Sequence, residues 1–231
     1  WTPGEAQGPS TNTLVTVVSD GVVSVTNSFE VVVLEVNVGP VFVGSPSNTS
    51  VAEGSVLSVT NNATDSDVPG QPLTYLLVNA PAGASVTTNG VISWTPGEAQ
   101  GPSTNTLVTV VSDGVVSVTN SFEVVVLEVN VAPTLAAQTN HTIAELTLLT
   151  VTNTASDLDI PTNELSYSLV VAPTNAAING SGVITWTPTE GQGPSTNVFT
   201  TVANDGIASV TNSFEVVVQE VNVGQVFVGS P

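Results

Sequence analysis

The chain has 231 residues, neither lysine nor arginine, 19 carboxylates and a net charge of −19. That charge excludes nucleic acid, because nothing here could replace phosphate counterions, and it excludes docking on anionic lipid. It points instead to a cation as partner. Hydrophobic residues make up 41% and charged residues only 8%, which is not the composition of a disordered chain. Cysteine is absent, so no disulfide staples the fold, and without lysine no Lys–Asn crosslink can form.

Residues 1–38 and 94–131 are letter-for-letter identical, and 186–223 is a diverged third copy. A period of 93 and then 92 residues is the length of a whole small domain, so the chain is a tandem array. The expected division is a C-terminal part of a repeat over 1–38, complete repeats over 39–131 and 132–223, and the first strand of a following repeat over 224–231. The chain thus reads as a window cut from a longer array. It has no initiator Met and no apolar run of membrane-spanning length.

In chain order, the complete repeat shows short β segments with turn signals between them and no 3.6-residue period. A first strand is expected over 41–43, a loop over 44–48, and strands over 51–53 and 56–60. A loop over 61–72 carries Asp65 and Asp67. Strands follow over 73–78 and 85–88. Asn89-Gly90 then predicts a type I′ hairpin turn, with positive φ at both residues, leading into a strand over 91–94. After the Pro-rich loop 95–102 come strands over 106–112 and 118–129, joined by Asp113-Gly114. This spacing predicts an all-β fold: tandem seven-stranded Greek-key β-sandwiches placed end to end. The partial repeat 1–38 alone would expose two sheet edges and half a core, to be completed by preceding residues or by strand exchange with a neighbouring chain.

Trp1, Trp94 and Trp186 recur at one strand position and read as core, as do Phe29, Phe122 and Phe214. His141 is the only histidine. It is aligned with Asn48 of the other repeat and reads as a loop residue, with no second histidine or cysteine to make a zinc site. Asn48, Asn62, Asn140 and Asn179 fall in N-x-S/T patterns that chance supplies in so Thr- and Ser-rich a chain. Repeated carboxylate pairs without a cleft-forming insertion do not indicate an enzyme.

The order VAEG, ATDSD, LTY, NAPAG, NGVISWTP, VSDG, with a long last strand ending in EVNVAP, resembles the bacterial cadherin-like repeats, Ig-like modules of large surface proteins. The resemblance covers the whole chain and implies calcium at the joints between repeats. It implies Glu5, Glu35, Asn37, Asp65, Asp67 and Asp113 as ligands at the joint 35–40. At the joint 128–133 it implies Glu53, Glu98, Glu128, Asn130, Asp157, Asp159 and Asp205. Glu145, Glu190, Glu220 and Asn222 would serve a third joint, and Asp20 an earlier one. Fifteen of the 19 carboxylates stand at such positions; Glu30, Glu123, Glu164 and Glu215 do not. Two departures weaken the pattern: the family's L-D-R-E is WTPGE here, and D-x-N-D-N is E-V-N-V-G or E-V-N-V-A, implying one or two ions per joint. The expectation is a structural segment of a bacterial, cell-surface stalk, fibre or filament, partnered by its neighbouring repeats or copies of itself. A glycan- or protein-binding adhesin acting by avidity is the alternative.

Overall fold

The computed structural model describes residues 1–222, so the first strand expected over 224–231 lies outside the described residues. The chain divides into two units, Trp1–Glu128 and Val129–Pro231.

The first unit opens with a hairpin of β1 (Ser10–Ser19) and β2 (Ser24–Val33), paired from Ser10↔Val33 to Ser19↔Ser24. A complete repeat follows, with β3 (Val41–Gly44), β4 (Thr49–Ala52), β5 (Leu57–Thr60), β6 (Asn62–Thr64), β7 (Thr74–Val78), β8 (Ser85–Val86), β9 (Val91–Trp94), β10 (Ser103–Ser112) and β11 (Ser117–Leu127). One sheet has the order β4-β11-β10-β7, the other β5-β9-β8, and β3 pairs with β6. β4 runs parallel beside β11, so the start of the repeat is tied to its end, whereas the β10–β11 and β7–β10 pairings are antiparallel. The fold is all-β, as the sequence predicted.

Alternation explains the packing. Along β10 from Leu107 and along β11 from Phe122 every second residue is buried, the period of a half-buried strand. Leu107, Phe122, Val124 and Val126 meet Leu57, Ile92 and Trp94 of the other sheet in one core. Trp94 lies at its centre and its indole N–H donates to the carbonyl of Ala82 (3.2 Å). A polar tie crosses the core beside it: Asn61 Nδ2 donates to Thr109 Oγ1 (2.9 Å), and Asn120 Nδ2 to Asn61 Oδ1 (3.0 Å).

The second unit repeats the plan with β12 (Thr134–Leu135), β13 (His141–Ala144), β14 (Leu149–Thr152), β15 (Ala155–Ser156), β16 (Ser166–Val171), β17 (Ala177–Ile178), β18 (Val183–Trp186), β19 (Ser195–Asn204) and β20 (Ser209–Gln219). Its sheets are β13-β20-β19-β16, β14-β18-β17 and the pair β12–β15. Phe199 stacks on Phe214 with centroids 5.2 Å apart, and Trp186 meets Phe199 edge-on at 5.4 Å.

Four sequence readings are corrected. The loop expected over 61–72 contains β6, a three-residue strand too short to show a period. The Asn89-Gly90 turn is not type I′. Gly90 N–H donates to Thr87 O (3.0 Å), and of the two residues only Gly90 has positive φ (+77°), so the loop is longer by two residues. His141 is not a loop residue and does not match Asn48. It opens β13, opposite Val216 as Thr49 is opposite Val124, with its ring edge-on to Phe214 at 5.7 Å. The residue matching Asn48 is Asn140: each accepts a bond from a backbone N–H, of Glu123 or Glu215, at 2.9 Å. Lastly, Trp94 and Trp186 are each 1% exposed, but Trp1 is 64% exposed, and Phe29 is likewise exposed. The hairpin β1–β2 has no second sheet over its apolar face among the described residues.

Three substitutions test this packing. Trp94→Ala should cost roughly 3–5 kcal/mol as a large-to-small core change, whereas Trp1→Ala should leave the melting temperature nearly unchanged. Gly90→Ala should cost roughly 2–4 kcal/mol. It forces an L-residue to positive φ and drives its Cβ into the carbonyl oxygen of Asn61. Equilibrium denaturation of the three variants reads all of these effects.

Candidate metal centre

Each carboxylate is delivered by a local device. Glu5, Glu98 and Glu190 each open a 3-10 turn closed by a glutamine two residues on. Gln7, Gln100 and Gln192 accept the backbone N–H of Gly4, Gly97 and Thr189 at 2.8, 3.0 and 2.8 Å. Glu35 lies two residues past β2, at the start of the linker. Asp65 and Asp67 leave β6 in a tight turn in which Asp67 N–H donates to Asp65 Oδ1 (2.9 Å). Asp113 sits at the β10–β11 turn, where its Oδ1 accepts the N–H groups of Val115 and Val116, both at 2.7 Å.

In the first unit the linker residues 35–40 draw these groups together. Val38 N–H donates to both oxygens of Asp67 (3.1 Å each), and Asn37 Nδ2 donates to Asp113 Oδ2 (2.9 Å). Val68 N–H donates to Glu5 Oε1 (3.1 Å). Glu5, Glu35 and Asp67 place one oxygen each within 4.8 Å of one another, as do Asp65, Asp67 and Asp113. Asp67 belongs to both trios, so all six residues expected at this joint share one constellation.

The set expected at 128–133 is described in two parts. In the first unit Glu53, Glu98 and Glu128 form a trio of the same dimensions. In the second, Asp157, Asp159 and Asp205 form another, with Asn130 Nδ2 donating to Asp205 Oδ2 (3.0 Å) and Val131 N–H to Asp159 Oδ1 (2.9 Å). Glu145, Glu190 and Glu220 make a fifth trio; Glu145 Oε1 accepts Val221 N–H (2.9 Å).

Two ordering residues escaped the sequence reading. Gln71 Nε2 donates to Asn37 Oδ1 (2.9 Å) and Asp67 Oδ2 (3.3 Å), and Asn163 Nδ2 donates to Asn130 Oδ1 (3.2 Å) and Asp159 Oδ2 (3.0 Å). Both are amides four residues after the second aspartate of the loop, a spacing visible once the repeats are laid side by side.

The donor set fits a hard cation. Glu35 Oε1, Asp65 Oδ2, Asp157 Oδ2 and Glu145 Oε2 are shielded from solvent and meet no hydrogen-bond donor. Buried carboxylate oxygens of like charge require a proton or a cation. Their effect on titration is already visible. Burial, then the charges of Glu5 and Asp67, hold the Glu35 carboxyl above its ordinary value of 4.5. The Glu145 charge first, then burial, does the same to Glu220. The bond from Asn37 lowers Asp113, and the backbone N–H of Ala208 lowers Asp205, from the ordinary 3.8.

Residues 37–125 match the sequence profile of the bacterial Ig domain family. Drosophila N-cadherin EC1-4 is similar in structure with TM-score 0.54 and 16% identity, over 84% of this chain and 52% of that one. The complete repeat has an Ig-like, cadherin-like fold. A protocadherin gammaB7 EC3-6 structure is similar at TM-score 0.51 and 18% identity, over 90% of this chain and 56% of that one. An endo-fucoidan hydrolase of glycoside hydrolase family 107 is similar only loosely, at TM-score 0.34 and 17% identity. The chain spans 35% of that enzyme's length, and so loose a likeness says nothing of activity. No curated protein matches the chain. Bacterial Ig-like and cadherin-like repeats are in general non-enzymatic, structural or adhesion-type modules.

The pKa shifts predict a stability optimum in mild acid for the metal-free protein. Glu35 and Glu220 have raised folded pKa values, so their protonation favours the folded state and stability rises as pH falls toward 4.5. Asp113 and Asp205 have lowered folded values; their contribution is present above 3.8 and is lost as pH falls through the lowered values. Melts in chelator from pH 7 to pH 2 should rise and then fall. A melting temperature that only falls on acidification contradicts the assignment of Glu35 and Glu220.

Proposed function

We propose that this chain is a segment of an extracellular stalk or fibre, and that calcium binds at the linker between successive repeats and stiffens it. The observation that carries this reading is the grouping of donor-less carboxylate oxygens around the linker 35–40, in a chain with no lysine or arginine to neutralise them. Calcium takes six to eight oxygen ligands at about 2.3–2.6 Å, so two ligands on one ion lie at most about 5 Å apart. The trios, with oxygens within 4.8 Å, have that spacing.

Stiffening follows from where the ligands sit. Glu5 and Glu35 belong to the partial repeat and its exit, Asp65, Asp67 and Asp113 to the repeat that follows, and Asn37 to the linker between. An ion bound by all three parts removes their mutual repulsion and cross-links them. Without it, the linker keeps the bonds of Val38 and Asn37 to the two aspartates and that of Gln71 to Asn37. Fourteen of the 19 carboxylates fall in the five trios, so charge is concentrated where an ion would be used. Repetition suits a structural role, since each added repeat adds reach.

The test is calcium calorimetry on the 231-residue chain, with hydrogen exchange at Val36–Val38 read in calcium and in chelator. Saturation is expected on the order of 10⁻⁴–10⁻³ M, as for extracellular modules, with slower exchange when calcium is bound. Asp65→Ala together with Asp67→Ala should reduce the stoichiometry and abolish the change in exchange. The trio Glu145/Glu190/Glu220 should keep its own heat, which separates loss of a site from loss of fold. No calcium heat and unchanged exchange would sink the proposal.

A further inference from the structure

The linker 35–40 and the turn 113–116 meet at a second point besides the bond between Asn37 and Asp113. A Cβ built on Gly39 would lie 2.5 Å from Val116 Cγ1 and 3.1 Å from Val116 Cβ. Non-bonded carbons settle at about 3.5–4.0 Å, so the valine side chain fills the place that a side chain at 39 would take. Gly39 is not one of the glycines with positive φ. Space, and not backbone conformation, is what calls for glycine here.

Neither partner is free to retreat. Val116 N–H donates to Asp113 Oδ1 (2.7 Å), and the Val116 carbonyl accepts Asp113 N–H (3.3 Å) and Ser112 Oγ (3.0 Å). Valine is branched at Cβ and stiff at χ1, and turning that bond leaves Cβ where it is. On the linker side, Val38 N–H is held by Asp67, and Pro40 is buried.

The second unit keeps this arrangement with different letters. Val131 N–H donates to Asp159 and Asn130 to Asp205, as Val38 and Asn37 do to Asp67 and Asp113. The turn 205–208 is closed in the same way, with Asp205 N–H donating to Ala208 O (3.2 Å) and Ala208 N–H to Asp205 Oδ1. Yet Gly39 is matched by Ala132 and Val116 by Ala208. The linker has gained a methyl group where the turn has lost two. Both sides of the contact have changed in opposite senses of size, while the hydrogen bonds around them are kept.

We propose that the residue at the end of this turn determines which linker a repeat accepts. Val116 admits only glycine before the linker proline, whereas Ala208 has room for alanine, and this fitted contact sets the path of the linker before any ion binds. Linker and turn are then exchangeable only as a matched pair. The inference rests on packing and stands apart from the calcium reading, so its test is run in chelator.

That test is hydrogen exchange at the Val38 and Val131 amides of the intact 231-residue chain, where each linker serves as control for the other. Gly39→Ala is expected to speed exchange at Val38 by about tenfold or more, the effect of one methyl group too many, and to leave Val131 unchanged. Adding Val116→Ala should bring Val38 back to within about twofold of the parent chain. Ala208→Val should speed exchange at Val131, and Ala132→Gly added to it should restore the parent rate. Should an overpacked variant unfold its repeat, the melting transition of that repeat replaces exchange as the readout, with the same rescue required. Exchange at Val38 that is indifferent to Gly39→Ala overturns the proposal. So does a chain carrying both Gly39→Ala and Val116→Ala that is as impaired as Gly39→Ala alone.

Discussion

Everything in the repeat leans on the pairing of its last two long strands. β10 and β11 hold ten consecutive antiparallel pairs, and their alternating residues form half the core. β10 offers its outer edge to β7 and β11 to β4, and β11 runs straight into the linker. Two candidate ligand positions follow directly. Asp113 is fixed at the turn between them, and Glu128 one residue after β11 ends. The site is therefore an extension of a strand register. A one-residue slip would turn Leu107, Phe122 and Val124 outward and would also misplace both carboxylates.

The acidic loops invite two explanations that the oxygens keep apart. Aspartates in turns commonly accept local N–H bonds and need no ion. Asp65 Oδ1, Asp113 Oδ1 and Asp205 Oδ1 do this, bonding Asp67 N–H, the Val115 and Val116 N–H groups, and the Ile207 and Ala208 N–H groups. The second oxygen of each carboxylate behaves differently. Asp113 Oδ2 and Asp205 Oδ2 are held by Asn37 and Asn130, while Asp65 Oδ2 meets no donor. Turn capping thus fixes the carboxylate plane, and at Asp65 it leaves the second oxygen without a donor. On the proposed reading, capping and cation binding are successive uses of one side chain.

The sequence made the strands legible because β10 and β11 are long and alternate cleanly, and it made the carboxylates legible because they recur at fixed spacing. What it hid was governed by short-range geometry or by partners distant in sequence. β6 is three residues long and owes its existence to β3. The Asn89-Gly90 dipeptide fits a two-residue turn, but the bonds between Thr87 and Val91 set a longer one. Trp1 carries the letters of a core residue without the layer that would bury it. Gln71 and Asn163 were hidden because an amide inside a polar loop carries no signal until the carboxylate it orients has a position.

Comparison of the two complete repeats shows which part of the molecule answers to chemistry beyond folding. The core has been rearranged: Leu107 is matched by Phe199 and Val111 by Ala203, a gain and a loss of volume at neighbouring core positions, with the Phe199–Phe214 stack filling the space. Cores tolerate such volume-conserving exchange. The loop between the aspartates has changed as well, Ser66 to Leu158, and the orienting amide from Gln71 to Asn163. Yet Glu53, Asp65, Asp67, Glu98, Asp113 and Glu128 are matched by Glu145, Asp157, Asp159, Glu190, Asp205 and Glu220, with no exchange even to the isosteric amide. A purely capping role would accept asparagine at several of these places, because the carbonyl of an amide accepts the same backbone bonds. Full charge at every one of them, kept despite mutual repulsion, is what the proposed cation would favour among its ligands.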